Sequence, residues 1–183
     1  MLRRTVITLL ALALTLVGTT TSTTPRASAD VGITAVTITY NDSRAAEFVD
    51  AVAQGVAIWN SSVTNVRIVR AAPGTRADVT VIADDGWPRA TLGPVRPGGS
   101  GTVWMGRQAV NDGYAVVRIA AHEFGHTLGL PDRKPGPCSS LMSGSSAGVS
   151  CTNPNPNAAE ISGVQSNYRS AARLADTGKV VVG

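Results

Sequence analysis

The chain has 183 residues, enough for one ordinary domain, and a net charge of +4. Its first 29 residues carry Arg3, Arg4 and Arg26 but none of the twelve acidic residues, so the rest of the chain has a net charge of only +1. A nearly neutral chain without a Lys/Arg cluster has no electrostatic reason to bind nucleic acid. We therefore expect no nucleic-acid partner.

Residues 1–29 have the pattern of a secretory signal peptide. A positively charged start is followed by an apolar run over residues 6–17, and the segment ends in Ala27-Ser28-Ala29, a small-x-small cleavage pattern. A membrane anchor is the alternative, but the apolar run is too short to span a bilayer. We expect cleavage before Asp30, a secreted product and no membrane partner.

The remaining chain alternates between strand-like and helix-like segments. Four segments are predicted to be strands: 31–40, 63–70, 77–83 and 101–105. Three segments with apolar residues at helical spacing are predicted to be helices: from Asn41 or Ser43 to Asn60, 112–128 and 157–175. Residues 88–101 and 131–156 are rich in Pro and Gly and are predicted to be irregular.

This order predicts a single α/β (α+β) domain in which three helices pack on a twisted mixed sheet of about four to five strands. The strand over residues 101–105 is expected at an edge of this sheet. Three aromatic residues are candidates for lining a substrate cleft: Trp87, Trp104 and Tyr114. Trp104 is the best of them, because an extended peptide can pair with an edge strand.

The chemically informative segment is His122-Glu123-Phe124-Gly125-His126, which matches the pattern HExxH. Two histidines four residues apart on a helix differ by about 40° in direction and one turn in height, so both rings can reach one metal ion. Glu123 then lies beside the water that the metal activates, and it can accept a proton from it. The chain has two histidines and both lie in this motif, which disfavours a chance match.

A catalytic zinc site needs a third protein ligand if one position is to stay open for water. No third histidine exists. Gly129 can end the helix and turn the chain back with a positive φ, which brings Asp132 to a place where it can complete the site. The alternative is that Asp132 is a surface turn residue. We predict that His122, His126 and Asp132 bind one catalytic Zn²⁺.

The chain contains two cysteines, Cys138 and Cys151. In a secreted protein an even number of cysteines is expected to pair. Two metal-binding thiolates are the alternative, but their spacing is not CxxC.

Residues 122–132, read as HExxHxxGxxD and followed by Met142, resemble the metzincin metalloproteases. The aspartate in the third position, with Gly-Pro-Cys-Ser-Ser-Leu-Met-Ser-Gly over residues 136–144, resembles the snapalysin family, the small neutral proteases of actinomycetes. Residues 58–62 and 150–154 are also similar to that family, so the likeness covers most of the chain after the signal peptide.

The resemblance implies a metzincin-like fold with zinc on the three predicted ligands and Glu123 as general base. It implies that Met142 forms an apolar floor under the metal, in a Met-turn, and that a Cys138–Cys151 disulfide surrounds this turn. It further implies a secreted zinc metalloendopeptidase whose catalytic domain is residues 30–183. Such an enzyme cleaves proteins or peptides and favours an aromatic residue just after the scissile bond.

Two positions depart from the family pattern. Lys134 stands where relatives carry a tyrosine thought to assist the transition state. Its ammonium can stabilise an oxyanion, or it can simply be solvated. Relatives bind calcium near the start of the active-site helix through Asp and Thr side chains, where this chain has Ala115 and Val117. We therefore assign no calcium site.

We expect a monomer. Because little chain lies between the cleavage site and the first strand, an inhibitory propeptide is not expected, and latency would then require another route, such as a secreted inhibitor protein. Two other functions stay open. One is a secreted zinc-binding module without turnover, against which Glu123 argues because a structural zinc site needs no base. The other is a secreted α/β domain without a metal.

Overall fold

The fold is organised around a mixed sheet whose strands are β1 (Val36–Arg44), β2 (Val66–Arg70), β3 (Val79–Asp84), β4 (Arg89–Ala90) and β5 (Gly101–Gly106). A computed structural model describes residues 35–177, with the side chains of residues 35–169. The sheet order is β2-β1-β3-β5-β4. The strands β2, β1, β3 and β5 pair in parallel with their neighbours in this order, and β4 pairs antiparallel with β5. The predicted mixed α/β architecture is therefore confirmed.

Four helices accompany the sheet within the described residues: α1 (Val49–Ser62), α2 (Arg107–Asn111), α3 (Val116–Thr127) and α4 (Ala158–Thr177). A 3-10 turn, Ala46–Phe48, leads into α1, and a second 3-10 segment, Leu141–Ala147, lies in the stretch predicted to be irregular. None of these helices is long and apolar enough to cross a membrane. The predicted signal peptide, residues 1–29, and the predicted strand start at residues 31–34 lie outside the described residues.

The core forms where α1 and α3 pack together against one face of the sheet. Alternate residues of β1 point into this core, as the period of a strand requires. Trp59 of α1 is fully buried, and its indole N–H donates a 2.8 Å hydrogen bond to the carbonyl oxygen of Ala121 in α3. This bond satisfies the buried indole and fixes α3 against α1.

The first helix begins later than predicted. Asn41 and Ser43 belong to β1, in which Asn41 pairs with Thr80 of β3. The Asn41 side chain accepts a hydrogen bond from the backbone N–H of Ser43 at 2.8 Å and caps no helix. Pairing with β3 therefore outweighs the local capping signal, and the predicted cap at Asn41 or Ser43 was wrong.

The second predicted helix, residues 112–128, is divided. The backbone N–H of Asp112 closes α2 by bonding to Gln108, and the N–H of Tyr114 bonds to Ala109. Residues 112–115 are therefore a connection, and α3 begins at Val116. The predicted end is confirmed: α3 stops at Thr127, and Gly129 follows with φ +93°.

The predicted edge position of the strand 101–105 was wrong. Arg89 and Ala90 of β4 pair with Trp104 and Val103 of β5, so β4 is the edge. The guanidinium of Arg89 lies 4.8 Å from the centroid of the Trp104 ring. A two-residue strand inside a Pro/Gly-rich loop carries too short a pattern to be read from sequence.

We predict that Gly129→Ala destabilises the protein by about 2–5 kcal/mol, because left-handed backbone strain adds to overpacking. A Cβ atom at Gly129 would lie 2.6 Å from the Asn167 amide nitrogen and 2.9 Å from Pro94 Cδ. The matched control is Gly74→Ala, which has φ +77° and nothing within 4 Å of the added atom. Urea unfolding measures both variants, and equal losses would contradict the crowding contribution.

Candidate metal centre and active site

The two histidines of α3 are oriented by backbone carbonyls. His122 Nδ1 lies 3.0 Å from the carbonyl oxygen of Leu141, and His126 Nδ1 lies 2.8 Å from that of Leu130. Since a carbonyl oxygen only accepts, each Nδ1 must carry the proton and donate. Each Nε2 is then left with a free lone pair, which is the arrangement found in metal-binding histidines.

Asp132 returns to the histidines after the turn at Gly129. Its Oδ1 lies 3.3 Å from His122 Nε2 and 3.6 Å from His126 Nε2. One ligand atom from each of the three residues lies within 4.8 Å of the others. Two neutral imidazole nitrogens and one carboxylate oxygen form a donor set that suits a catalytic zinc. The structure thus brings together the three residues that the sequence motif singles out.

Glu123 lies beside this cluster, and its carboxylate is buried. The residue is only 4% exposed, and its Oε2 has no hydrogen-bonding partner among the described residues. Burial raises the pKa of Glu123 to about 7. A buried carboxylate oxygen without a protein partner is costly, and a solvent or substrate group held by a neighbouring metal is the partner that such an atom fits.

The charges around the cluster favour metal binding at neutral pH. The Lys134 ammonium contacts the Asp132 carboxylate at 2.9 Å and favours its ionised form. Burial, followed by the neighbouring His122, lowers the pKa of His126. Asp132 is therefore ionised and His126 is neutral near pH 7, and these are the forms that bind a cation.

Lys134 lies at the rim of the cluster. Its Nζ donates a hydrogen bond to Asp132 Oδ2 at 2.9 Å, and its side chain is 39% exposed. The oxygen of Asp132 that faces the histidines is the other one, Oδ1. The ammonium thus contacts the predicted metal ligand directly, a contact that the sequence does not reveal.

Met142 packs under the histidine helix and is fully buried. A Cβ atom added at Gly125, between the two histidines, would lie only 2.7 Å from Met142 Sδ. Gly125 therefore permits the close approach of the methionine to α3. The structure also contains the Cys138–Cys151 disulfide, with the two Cα atoms 5.5 Å apart, on either side of this turn.

A cavity of about 470 Å³ opens beside the cluster. Two of the three aromatic candidates line it: Trp87 and Tyr114, whose rings stack edge to face at 5.6 Å. Trp104 is not among its lining residues. The remaining wall comes from both sides of the site, including β4, the start of α3 and the turn after Met142.

Two buried charges of this region were not predicted from the sequence. Arg118, on α3, is 5% exposed and Glu160, on α4, is 2% exposed. Arg118 precedes His122 by one helical turn, so it shares the inward face of α3. This spacing could have indicated from the sequence that Arg118 is buried, and an arginine at an inward helical position requires a partner inside the protein.

The comparisons with known proteins identify the family. The profile of the Streptomyces extracellular neutral proteinase (M7) family matches residues 35–170. The chain belongs to this family, which confirms the resemblance read from the motifs.

Curated relatives carry the name "Extracellular small neutral protease". The protein of Streptomyces caespitosus is 44% identical over 129 residues, which are 70% of this chain and 94% of that protein. The protein of Streptomyces sp. (strain C5) is 43% identical over 76% of this chain and 59% of its own length. The protein of Streptomyces coelicolor is 41% identical over 75% and 62%. The chain thus spans about three fifths of the length of the last two relatives.

Among solved structures, the archaemetzincin of Methanopyrus kandleri aligns with 75% of this chain and 97% of its own, at 15% identity and a TM-score of 0.45. An overlap of this size supports no conclusion about the present chain.

We predict that Glu123→Gln stabilises the metal-free protein at pH 8.5 by about 3 kcal/mol, given about 1.4 kcal/mol per pKa unit. The pKa of Glu123 rises on folding from 4.5 to about 7. The folded state therefore binds the extra proton, and its stability is full below pH 4.5 and falls as the pH rises through about 7. The neutral amide removes this loss.

The measurement is urea unfolding of both proteins with excess chelator. At pH 4 the two proteins should be nearly equal, because Glu123 is then protonated in both states. Asp132 and His126 titrate in both proteins, so the comparison isolates the change at position 123 together with its electrostatic coupling to Asp132. A variant that is no more stable than wild type at pH 8.5 would contradict the conclusion that burial raises the pKa of Glu123.

Proposed function

We propose that this chain is a secreted zinc metalloendopeptidase, with residues 1–29 as its signal peptide and residues 30–183 as its catalytic domain. The observation that carries the proposal is the convergence of His122 Nε2, His126 Nε2 and Asp132 Oδ1 beside a buried Glu123 carboxylate. These groups line an open cavity, so a substrate can reach them. Membership in the neutral proteinase family supports the same function.

Each of these residues has a distinct role in the proposed reaction. Zinc held by His122, His126 and Asp132 would polarise the scissile carbonyl and make water acidic enough to attack near neutral pH. Glu123 takes the proton of the attacking water on its free oxygen and passes it to the leaving amine. The carbonyls of Leu130 and Leu141 keep both imidazoles in the required tautomer and orientation.

The cavity supports a preference for a large apolar or aromatic side chain just after the scissile bond. Its volume of about 470 Å³ and its walls of Trp87, Tyr114 and Ile119 suit a large apolar or aromatic side chain. The edge strand β4 can pair with an extended substrate backbone. We therefore propose that the substrate backbone pairs with Arg89 and Ala90 of β4, and not with the strand that contains Trp104.

Several properties stay predictions. They are a monomeric state, control of activity by a secreted inhibitor protein, and the lack of nucleic-acid or membrane partners.

We predict that Glu123→Gln lowers the kcat for casein or a peptide substrate by about 10²–10⁴-fold, the range for loss of a general base, while zinc stays bound. Peptide cleavage and elemental analysis of the same sample measure the two quantities. Chelation of the wild type should abolish cleavage and zinc should restore it. A wild type that binds zinc without cleaving peptides would instead identify a binding module, and a folded wild type without zinc would refute the metal centre.

A role of Lys134 in oxyanion stabilisation predicts that Lys134→Ala lowers kcat by about 100-fold with zinc affinity unchanged. Lys134→Arg is the matched control, because it keeps the positive charge near Asp132. Steady-state kinetics and a chelator competition measure the two effects separately. Unchanged turnover removes the catalytic role, and a loss of turnover that follows a loss of zinc assigns Lys134 to the support of Asp132.

A further inference from the structure

Two buried charges, Arg118 and Glu160, have no part in the proposed reaction. Both are at least nine-tenths buried, and no ion pair joins them within the described part of the chain. Burying a charge is costly unless hydrogen bonds compensate for the lost water. The partners that compensate each charge therefore indicate what it holds in place.

Glu160 binds the donors of the Met-turn. Its Oε1 accepts hydrogen bonds from Ser140 Oγ at 2.7 Å and from the backbone N–H of Met142 at 2.8 Å. Its Oε2 accepts from the N–H of Asn157 at 2.7 Å and from that of Leu141 at 3.2 Å. Three consecutive residues of the turn thus donate to one carboxylate of α4.

Arg118 binds the acceptors of the same turn from the opposite side. Its Nη2 donates to Ser140 O at 2.9 Å, to Ser143 Oγ at 2.9 Å and, more weakly, to Leu141 O at 3.4 Å. Its Nη1 donates to the carbonyl oxygen of Asn153. The two opposite charges meet through the turn backbone that lies between them.

The carbonyl of Leu141 links this network to the metal centre, because it accepts the Nδ1–H of His122 at 3.0 Å. We propose that Arg118 and Glu160 are positioning residues. They fix the Leu141–Met142 peptide unit, because Arg118 donates to its carbonyl and Glu160 accepts from its N–H. Through this carbonyl they fix the orientation of His122 toward the metal. This inference rests on the proposed function, in which His122 is a ligand. The acceptor of His126 is Leu130 O, with which neither Arg118 nor Glu160 forms a hydrogen bond.

The chemistry of the network requires ions rather than neutral amides. A carboxylate offers acceptor sites on both oxygens, and all four of its contacts come from donors. In Glu160→Gln the new amide N–H groups must face two of those donors. In Arg118→Lys the charge remains, but a single ammonium cannot reproduce the fork that serves both Asn153 and Ser143.

The first test measures Zn²⁺ affinity, with the metal alone as probe, by competition with a chromophoric chelator. Both Glu160→Gln and Arg118→Lys should raise the Kd by about 10–100-fold, the range for loss of a partner that supports a metal ligand. The matched control is Asp78→Asn. Asp78 is also buried and accepts three hydrogen bonds, from Thr39 N, Thr39 Oγ1 and Gly98 N, but it supports no metal ligand.

Asp78→Asn should lose stability and keep its zinc Kd within about twofold of wild type, since its bonds lie outside the metal centre. Urea unfolding of all variants establishes that each is folded under the conditions of the competition. Unchanged zinc affinity in folded Glu160→Gln and Arg118→Lys overturns the inference. So does an equal loss of affinity in Asp78→Asn, because the effect would then be one of general stability.

The second test uses the two histidines as separate reporters, since the chain has no others. In NMR spectra of the zinc-loaded protein, Arg118→Lys should move the Nδ1–H signal of His122 and leave that of His126 in place. Equal shifts of both signals, or none, overturn the inference. A wild type that binds no zinc refutes the proposed function instead, and the two failures are thereby distinguished.

Discussion

The site depends on one constraint, which is that each histidine of α3 must donate its Nδ1–H to a carbonyl so that its Nε2 is free. The carbonyls come from Leu130, just after the helix, and Leu141, in the Met-turn. Neither residue lies in an α-helix or a strand. The turn at Gly129 supplies the first and brings Asp132 back. The second accepts a hydrogen bond from Arg118, and the N–H of Met142 in the same peptide unit donates to Glu160. Much of the irregular chain after α3 therefore has a definite structural purpose.

The sequence predicted which side chains converge at the candidate site, because that information is local. Residues 122–132 form one helix and one turn, so their spacing alone determines which side chains converge. The end of α3 just before Gly129 was predictable for the same reason. The pairing of Cys138 with Cys151 was predictable because the chain has only these two cysteines. The strands β1, β2 and β3 were predictable from their runs of β-branched residues.

The errors arose where distant parts of the chain decide the structure. Asn41 and Ser43 carry a capping signal, yet pairing of β1 with β3 keeps them in a strand. The strand β4 consists of two residues and exists only because β5 lies beside it. Glu160 is separated by about twenty residues from the turn that it binds, and no local pattern reveals such a contact. Contacts between distant side chains were therefore not predicted from the sequence, whereas the convergence of His122, His126 and Asp132 was.

The shortness of β4 has a consequence for recognition and for self-association alike. An open sheet edge exposes unpaired N–H and C=O groups that any extended chain can join, including another copy of the same protein. Here the edge offers two residues, Arg89 and Ala90, and prolines at positions 88 and 94 bound the segment. Such an edge is too short to template a long sheet. On the proposed function, a peptide docked on this edge forms few backbone hydrogen bonds, and the neighbouring cavity then supplies most of the discrimination between peptides.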